Sequence, residues 1–578
     1  MQSNPLSSPA DQARAALQDR PNAKVLIIGA GINGIATFRD LALQGVDVTL
    51  VDRGDYVSGA SAASSHMIHG GIRYLENGEF RLVKESVTER NGLLKIAPHY
   101  VKPLKTTVPM FSALSGVLAA PLRFLTHKQG KAQERGALLI KVGLVLYDSF
   151  SRDGGSVPRH EFHGRKKSLA RLPKLNPGLK YTATYYDASM HDPERLALDV
   201  LRDGLEAGEH SRSANYVEAV GMDAAGVRLR NTVTNEEFSF AADVVVNTSG
   251  PWTDLTNSAL GAASTFMGGT KGSHIVLDHP ELLEATGGGE IFFENSDGRI
   301  VLIYPLAGRV LIGTTDLEHD MTQPIRTTED EIDYFFDLVK HVFPDITVDR
   351  SHIVFTFSGV RPLPRHDDEA PGFVSRDYRI ESRPLGERPG TLLSLVGGKW
   401  TTFRALAEHL STDILGLIGQ ARTVSTVGLP IGGGKNFPAT DAAHRVWLAA
   451  NGDEVGQERA GQLLTRYGTR AGVIIEFLTG APDAPLVHNA LYSRREIEYL
   501  AAEESVTHLI DLLLRRTSLA FVGGLTVALL DELAGVLAPI LGWDAARQAD
   551  EVRQSVEVLN EVHGVDLGVT TADALPAL

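Results

Sequence analysis

The sequence contains no cysteine in 578 residues. Disulfides, thiolate metal sites and cysteine nucleophiles are therefore excluded, and no metal site is expected. A reducing compartment is compatible with this absence but not required by it. Long apolar runs are missing too. Crossing a bilayer takes about 20 consecutive apolar residues, and the nearest candidate, 110–125, is interrupted by Pro121 and Arg123. Basic residues are outnumbered. With 71 Asp and Glu against 56 Lys and Arg, the formal net charge is −15, so no nucleic-acid partner is expected, because its phosphates would repel such a chain. The first 22 residues lack the apolar segment of a secretory signal and carry Pro5, Pro9 and Pro21. They read as a disordered lead-in. What is present is 43% hydrophobic and 22% charged, ample for a core, and the length suits two or three domains.

Residues 24–28 form a short apolar, β-branched run that reads as a buried parallel strand. It leads directly into Gly29-Ala-Gly31-Ile-Asn33-Gly34. A helical pattern follows to Gln44, then a second strand at 46–51, ended by Asp52. A glycine-rich turn alone is weak evidence. Strand, turn, helix, strand and an acid 18 residues beyond Gly34 form a dinucleotide-binding unit. Gly29 permits the tight turn, Gly31 lets the backbone approach a pyrophosphate, and Gly34 lets helix and strand pack closely. The free N–H groups at the helix start favour the anion. Asp52 is placed to accept hydrogen bonds from the adenosine ribose.

The turn does not distinguish FAD from NAD; the surrounding sequence does. A second mononucleotide half does not follow. Instead come the small residues of 58–65, suited to close backbone approach to a cofactor. Two later segments look like returning pieces of the same domain. Residues 243–250 read as a buried strand ending at Gly250. Residues 392–396 read as another, ending in Gly397, Gly398 and Lys399 before a helix. The start of that helix favours negative charge on a reduced flavin. Units of this kind far apart in the chain indicate a discontinuous FAD-binding domain.

Six motifs then carry a family resemblance. Ser64-Ser-His-Met-Ile-His-Gly-Gly-Ile-Arg-Tyr-Leu-Glu76, Lys271-Gly-Ser-His-Ile275, Ile312-Gly-Thr-Thr-Asp316, Ser358-Gly-Val-Arg-Pro-Leu363, Ser375-Arg-Asp-Tyr378 and Gly397-Gly-Lys-Trp-Thr-Thr402 resemble FAD-dependent glycerol-3-phosphate dehydrogenases. They occur in that family's order and span most of residues 24–410. The resemblance implies oxidation of glycerol 3-phosphate to dihydroxyacetone phosphate, with the hydride going to non-covalently bound FAD. Electrons then pass to membrane quinone, or to oxygen in an oxidase branch.

A phosphate dianion calls for cations, preferably arginines with forked geometry. Arg73, Arg361, Arg376 and Lys399 stand in the matched motifs. Oxidation also requires removal of the hydroxyl proton, for which His69 and His274 are the candidate bases. Arg361 stays protonated and suits stabilisation of the developing alkoxide. Tyr74, Thr314 and Thr315 are candidate hydrogen-bonding groups. The expected cofactor set is Gly29, Gly31, Asn33, Gly34, Asp52, Ser61, Ser64, Ser65, Val217, Gly250, Gly398, Lys399, Thr401 and Thr402. Some positions depart from the family. A lysine is usual where His66 stands, and a threonine or serine at Ala60 and Ala62. The family's paired acids before an arginine appear as the run from His191 to Arg195. These departures keep another polyol phosphate, such as erythritol 4-phosphate, open as substrate.

The expected fold is α/β: a Rossmann-type FAD-binding domain (23–105, 190–262, 355–410) with an antiparallel-sheet substrate-capping domain (106–189, 263–354). A helical C-terminal domain, 411–578, carries no chemistry-bearing motif, and homodimer formation is one reading of it. Two basic clusters, Arg123, Lys128, Lys131, Arg135 and Lys141, then Arg165, Lys166, Lys167, Arg171 and Lys174, lie near the apolar segments 110–125 and 137–146. Interleaved basic and apolar residues suit an anionic membrane surface. The expected location is cytoplasmic, peripherally on the inner face of the cell membrane.

Overall fold

The computed structural model describes residues 8–71, 80–112, 137–151, 157–294, 300–365, 377–386 and 388–568. The strand Asn22–Ile28 is buried on both faces from Val25 onward, as an apolar run in the middle of a parallel sheet must be. It pairs in parallel with Val48–Val51 on one side and with Glu237–Asn247 on the other. Ser211–Ala214 extends the sheet beyond Val48–Val51, and Thr391–Val396 extends it beyond Glu237–Asn247. An antiparallel edge strand, Arg379–Pro384, closes that side. The chain order reverses at the first strand, which opens a crevice at its carboxyl end. The glycine-rich turn lies there. The following helix, Ile32–Leu43, packs between Pro193–Leu205 and Phe403–Leu417. The sheet thus assembles strands from far-separated segments, and the expected α/β class with a discontinuous nucleotide domain is what forms.

The second sheet has ten strands among the described residues and is mostly antiparallel. Alternate side chains of a strand point to opposite faces, and this sheet is buried on both. Ile275, Leu277, Ile303 and Ile312 pack against Phe335, Leu338 and Val342 of the helix Glu329–Val342. Val276, Leu302, Leu311 and Phe355 pack instead with C-terminal helix residues such as Leu463, Leu530 and Leu537. The C-terminal helices, Val527–Leu541 and Ala545–His563 among them, therefore cover the sheet face that the other helix leaves open.

Several expectations need correction. The lead-in contains a helix, Pro9–Asp19, started by a capping box between Ser8 and Asp11. Its Arg14 is buried and donates to Asn215 Oδ1 and Thr507 Oγ1, so tertiary contacts hold what local composition does not announce. The boundaries at 105/106, 189/190 and 354/355 cut through Val101–Met110, Tyr181–Met190 and Ile353–Val360, all in the second sheet. Local alternation reveals a strand but not its partners. Within the helical C-terminal region, 505–516 holds a short helix, Leu509–Asp511, and a π-type turn, Leu512–Arg516. Of the segment 110–125, all beyond Ser112 lies outside the described residues. The exposed side chains Leu138 and Val145 lie on the helix Ala137–Ser151. Among the described residues no helix is long and apolar enough to cross a membrane.

Candidate active site

The glycine-rich turn is built by exclusion. A Cβ on Gly34 would lie 2.0 Å from the Gly29 carbonyl oxygen, and one on Gly29 would lie 2.7 Å from Thr248 O. Asp52 locks the turn from the next strand. Its carboxylate accepts the Ala30 N–H at 2.7 Å and the Gly54 N–H at 3.0 Å. Burial pushes its pKa up to about 6. Asp52 was expected at the ribose; in the structure its carboxylate holds the backbone of the loop it faces. Ser61 Oγ accepts the Ile32 N–H at 3.0 Å, and the Val217 N–H donates to Asp52 O at 2.7 Å.

A cavity of about 660 Å³ runs from this turn, lined by Gly29, Gly31, Asn33, Asp52, Ser61, Val217 and Gly250 among others. That volume is in the usual range for cofactor clefts. Asn33 Oδ1 is buried with no hydrogen-bond partner among the described residues. A buried acceptor beside a glycine cradle fits a bound dinucleotide that brings its own donors.

Further along, small residues keep the walls close. A Cβ on Gly359 would lie 2.4 Å from Ala63 Cβ. Gly397 and Gly398 take φ values of +92° and +115°, open chiefly to glycine, and lead into the helix Phe403–Leu417 behind its N-cap Thr402. A side chain at Gly398 would meet Asn33 Nδ2 at 2.4 Å. Trp400 Nε1 donates to Ser61 O at 3.0 Å, and Thr401 Oγ1 to His69 O at 3.3 Å. The returning turn is thereby tied to both the small-residue loop and the His69 segment. Lys399 lies near enough to Glu85 to oppose the rise that burial gives that carboxyl.

The second sheet contributes the polar cluster. His274 Nε2 is 2.8 Å from Ser65 Oγ, and its ring stacks on Phe357 at 4.7 Å between centroids. It is 2% exposed. Burial, with Arg361 nearby, holds its pKa well below the ordinary 6.5, so the imidazole is neutral at physiological pH. Its Nδ1 has no partner among the described residues. Arg361 Nη1 pairs with Asp316 at 2.8 Å, while Nη2 donates to Thr314 Oγ1 at 3.0 Å and Thr315 O at 3.1 Å. A Cβ on Gly272 would lie 2.4 Å from Arg361 Nη2, so glycine there keeps space for the guanidinium.

Other expected residues sit differently. Thr315 is buried, and its hydroxyl is engaged by Glu331 and the Ser273 N–H, so it faces the protein interior and not an open site. Ser64 Oγ accepts the His66 N–H at 3.3 Å. His66 lines the cavity, but its Nδ1–H donates to the Met190 and His191 carbonyls, each at 3.2 Å, and its ring lies against Phe521. Arg73, Tyr74 and Arg376 lie outside the described residues. Two polar groups of this cluster were not named from the sequence. Asp316 ends a quoted motif, yet its pairing with Arg361 crosses strands. Glu331 has a local signal, Thr328 three residues before it, which forms a capping box.

Comparison with known proteins agrees with this architecture. The family model for FAD dependent oxidoreductases matches residues 24–404, and that for the C-terminal domain of alpha-glycerophosphate oxidase matches 424–548. A glycerol-3-phosphate dehydrogenase of Synechocystis is 32% identical over 524 residues, covering 86% of this chain and 89% of that protein. A D-erythritol 1-phosphate dehydrogenase of Brucella abortus is also 32% identical, covering 85% of this chain and 93% of the relative. The crystal structure of a glycerol-3-phosphate dehydrogenase from Bacillus halodurans complexed with FAD superposes with a TM-score of 0.71. It is 20% identical and spans 97% of this chain and 98% of that one.

Proposed function

The chain belongs to the FAD-dependent glycerol-3-phosphate dehydrogenase family, and from that premise we propose that it oxidises glycerol 3-phosphate to dihydroxyacetone phosphate. Bound FAD supplies the two-electron acceptor for the hydride leaving C2. The residues that would hold it are those of the glycine turn, Asp52, Asn33, Ser61, Gly250 and the Gly397–Gly398 turn. Arg361 and Thr314 bind the substrate's oxygens, and Arg361 stabilises charge developing on O2. Its pairing with Asp316 and Thr314 fixes the guanidinium before substrate arrives, which lowers the ordering cost of binding. Arg73, Tyr74, Arg376 and Lys399 complete the phosphate-binding set in this reading. His69 or His274 removes the O2 proton. Carrying the reading is one observation: Arg361, Thr314 and a buried His274 converge beside the cavity wall formed by Phe357, Gly359 and Pro362.

Membrane quinone is the acceptor we propose, and the exposed basic helix Arg165–Arg171 with the exposed Leu138 and Val145 is the surface that would meet an anionic bilayer. A second reading, oxidation of an erythritol phosphate, is favoured by the Brucella relative, whose identity equals that of the Synechocystis one, and by Ala60, Ala62 and His66. Anaerobic titration of the yellow protein with a panel of polyol phosphates tests both. Bleaching by glycerol 3-phosphate supports the first reading. Bleaching by an erythritol phosphate alone replaces it with the second, and bleaching by neither rejects the substrate class. Peroxide formed at the rate of turnover in air would reject quinone as the acceptor. Replacing His69 and His274 separately assigns the base, since the one whose loss spares turnover is not it.

A further inference from the structure

The strand Thr270–Leu277 presents two faces to two environments. Ile275 and Leu277 pack with the helix Glu329–Val342, and Lys271 and Ser273 share that parity. Gly272 and His274 point the other way, toward Arg361, Thr314 and Ser65. On the helix side a single carboxylate gathers the strand. Glu331, 3% exposed, accepts Lys271 Nζ at 2.8 Å, Ser273 Oγ at 2.8 Å, Thr315 Oγ1 at 2.7 Å and the Thr328 N–H at 2.9 Å. The Ser273 N–H donates in turn to Thr315 Oγ1 at 2.9 Å. Lys271 Nζ also donates to Arg326 O at 2.8 Å, anchoring the end of a loop whose Met321, Gln323 and Ile325 line the cavity. Every oxygen of the carboxylate is used, and the Ser273 hydroxyl also bonds Ser358 Oγ at 2.7 Å, a residue that lines the cavity.

We propose that Glu331 and Lys271 are a positioning pair for the substrate site. They fix the back of the His274 strand and the Thr315 backbone, so that Thr314, Arg361 and His274 converge on the front. Thr315 is the link, since its hydroxyl is held by Glu331 while its carbonyl and its neighbour Thr314 hold Arg361. The inference rests on the substrate reading above. A carboxylate that only capped its helix would act on stability and leave the site alone.

The test compares full-length, FAD-loaded wild type, E331Q and K271M/E331Q. E331Q strands a buried ammonium, which destabilises the fold, whereas the double variant removes both charges. The expected result is a double variant that recovers the wild-type melting temperature and flavin content. Its kcat/KM for glycerol 3-phosphate stays down by roughly 10²-fold, as for a site misplaced by about 1 Å. Amide hydrogen exchange at 314–317 remains at least about tenfold faster than in wild type, a change in local opening and not in global stability. A double variant with wild-type kcat/KM and wild-type exchange overturns the proposal. If K271M/E331Q does not fold, E331D decides, because it keeps the charge pair but withdraws the carboxylate. The same losses are expected, and wild-type values would overturn the proposal. If wild type is bleached by no polyol phosphate, the substrate reading falls, while the exchange measurement still decides whether Glu331 fixes the loop.

Discussion

Arg361 enters the site already engaged by Asp316, Thr314 and the Thr315 carbonyl. A lysine keeps the charge but loses the fork that reaches several acceptors at once. R361K is expected to lower kcat/KM for glycerol 3-phosphate by roughly 10- to 150-fold, the loss of one charge-assisted bond at about 1.5–3 kcal/mol. Steady-state kinetics check this, and a change under threefold would remove Arg361 from the site. His66 gives a prediction of another kind. Burial lowers its pKa to about 4, against about 6.5 in the unfolded chain. Between those values the unfolded state binds more protons, so this residue's contribution is complete above pH 6.5 and is lost as pH falls toward 4. The loss is on the order of 3 kcal/mol. Asp52, raised to about 6, acts in the opposite sense, so the useful quantity is a difference. Melting temperatures of wild type and H66F are expected to diverge as pH falls from 6.5 to 4, with wild type losing more. Parallel curves would contradict a neutral, buried His66.

The glycine turn was legible in the sequence because its elements are contiguous: strand, Gly29, Gly31, Gly34, helix, strand, Asp52. The structure adds why Gly34 tolerates nothing else, since a Cβ there would sit 2.0 Å from Gly29 O. G34A is therefore expected to release FAD and lower the melting temperature, at a cost of about 1–3 kcal/mol or more from overpacking. Flavin content after gel filtration checks this, and full flavin occupancy would contradict it. The motif residues His274, Arg361 and Thr314 were named from the family resemblance of their segments, and the structure brings them together. What sequence could not supply was partnership. Thr315 was a candidate hydrogen-bonding group for substrate or flavin, but its hydroxyl partner is Glu331 on a helix of another segment. Val101–Met110 was divided between domains because an alternating strand does not say which sheet it joins. The helix Pro9–Asp19 was missed because Arg14 finds Asn215 and Thr507 only in the folded chain.

Across the whole molecule, the C-terminal helices are fastened to the nucleotide domain through a buried charge cluster. Asp55 accepts Arg516 Nη1 at 2.5 Å and Nη2 at 2.8 Å, Arg515 Nε at 2.5 Å and Asn215 Nδ2 at 2.9 Å. Burial alone would raise the Asp55 carboxyl, yet Arg516 and Arg515 hold it well below the usual carboxylate range. Asp55 follows Asp52 by three residues, and Arg515 lines the cavity, so the docking contact adjoins the proposed cofactor cleft. D55N leaves Arg516 without a carboxylate partner, while Arg515 keeps Asp511, and is expected to cost about 3–5 kcal/mol. The melting temperature should fall and flavin should dissociate during the same transition. Separate transitions for unfolding and flavin release would contradict this prediction. The central claim is that this assembled chain takes a hydride from C2 of a polyol phosphate. The direct measurement is anaerobic stopped-flow bleaching of the flavin by glycerol 3-phosphate carrying deuterium at C2, compared with the unlabelled compound. Bleaching is expected with dihydroxyacetone phosphate as product, and markedly slower bleaching with the deuterated substrate. A flavin that stays yellow with both compounds would contradict it.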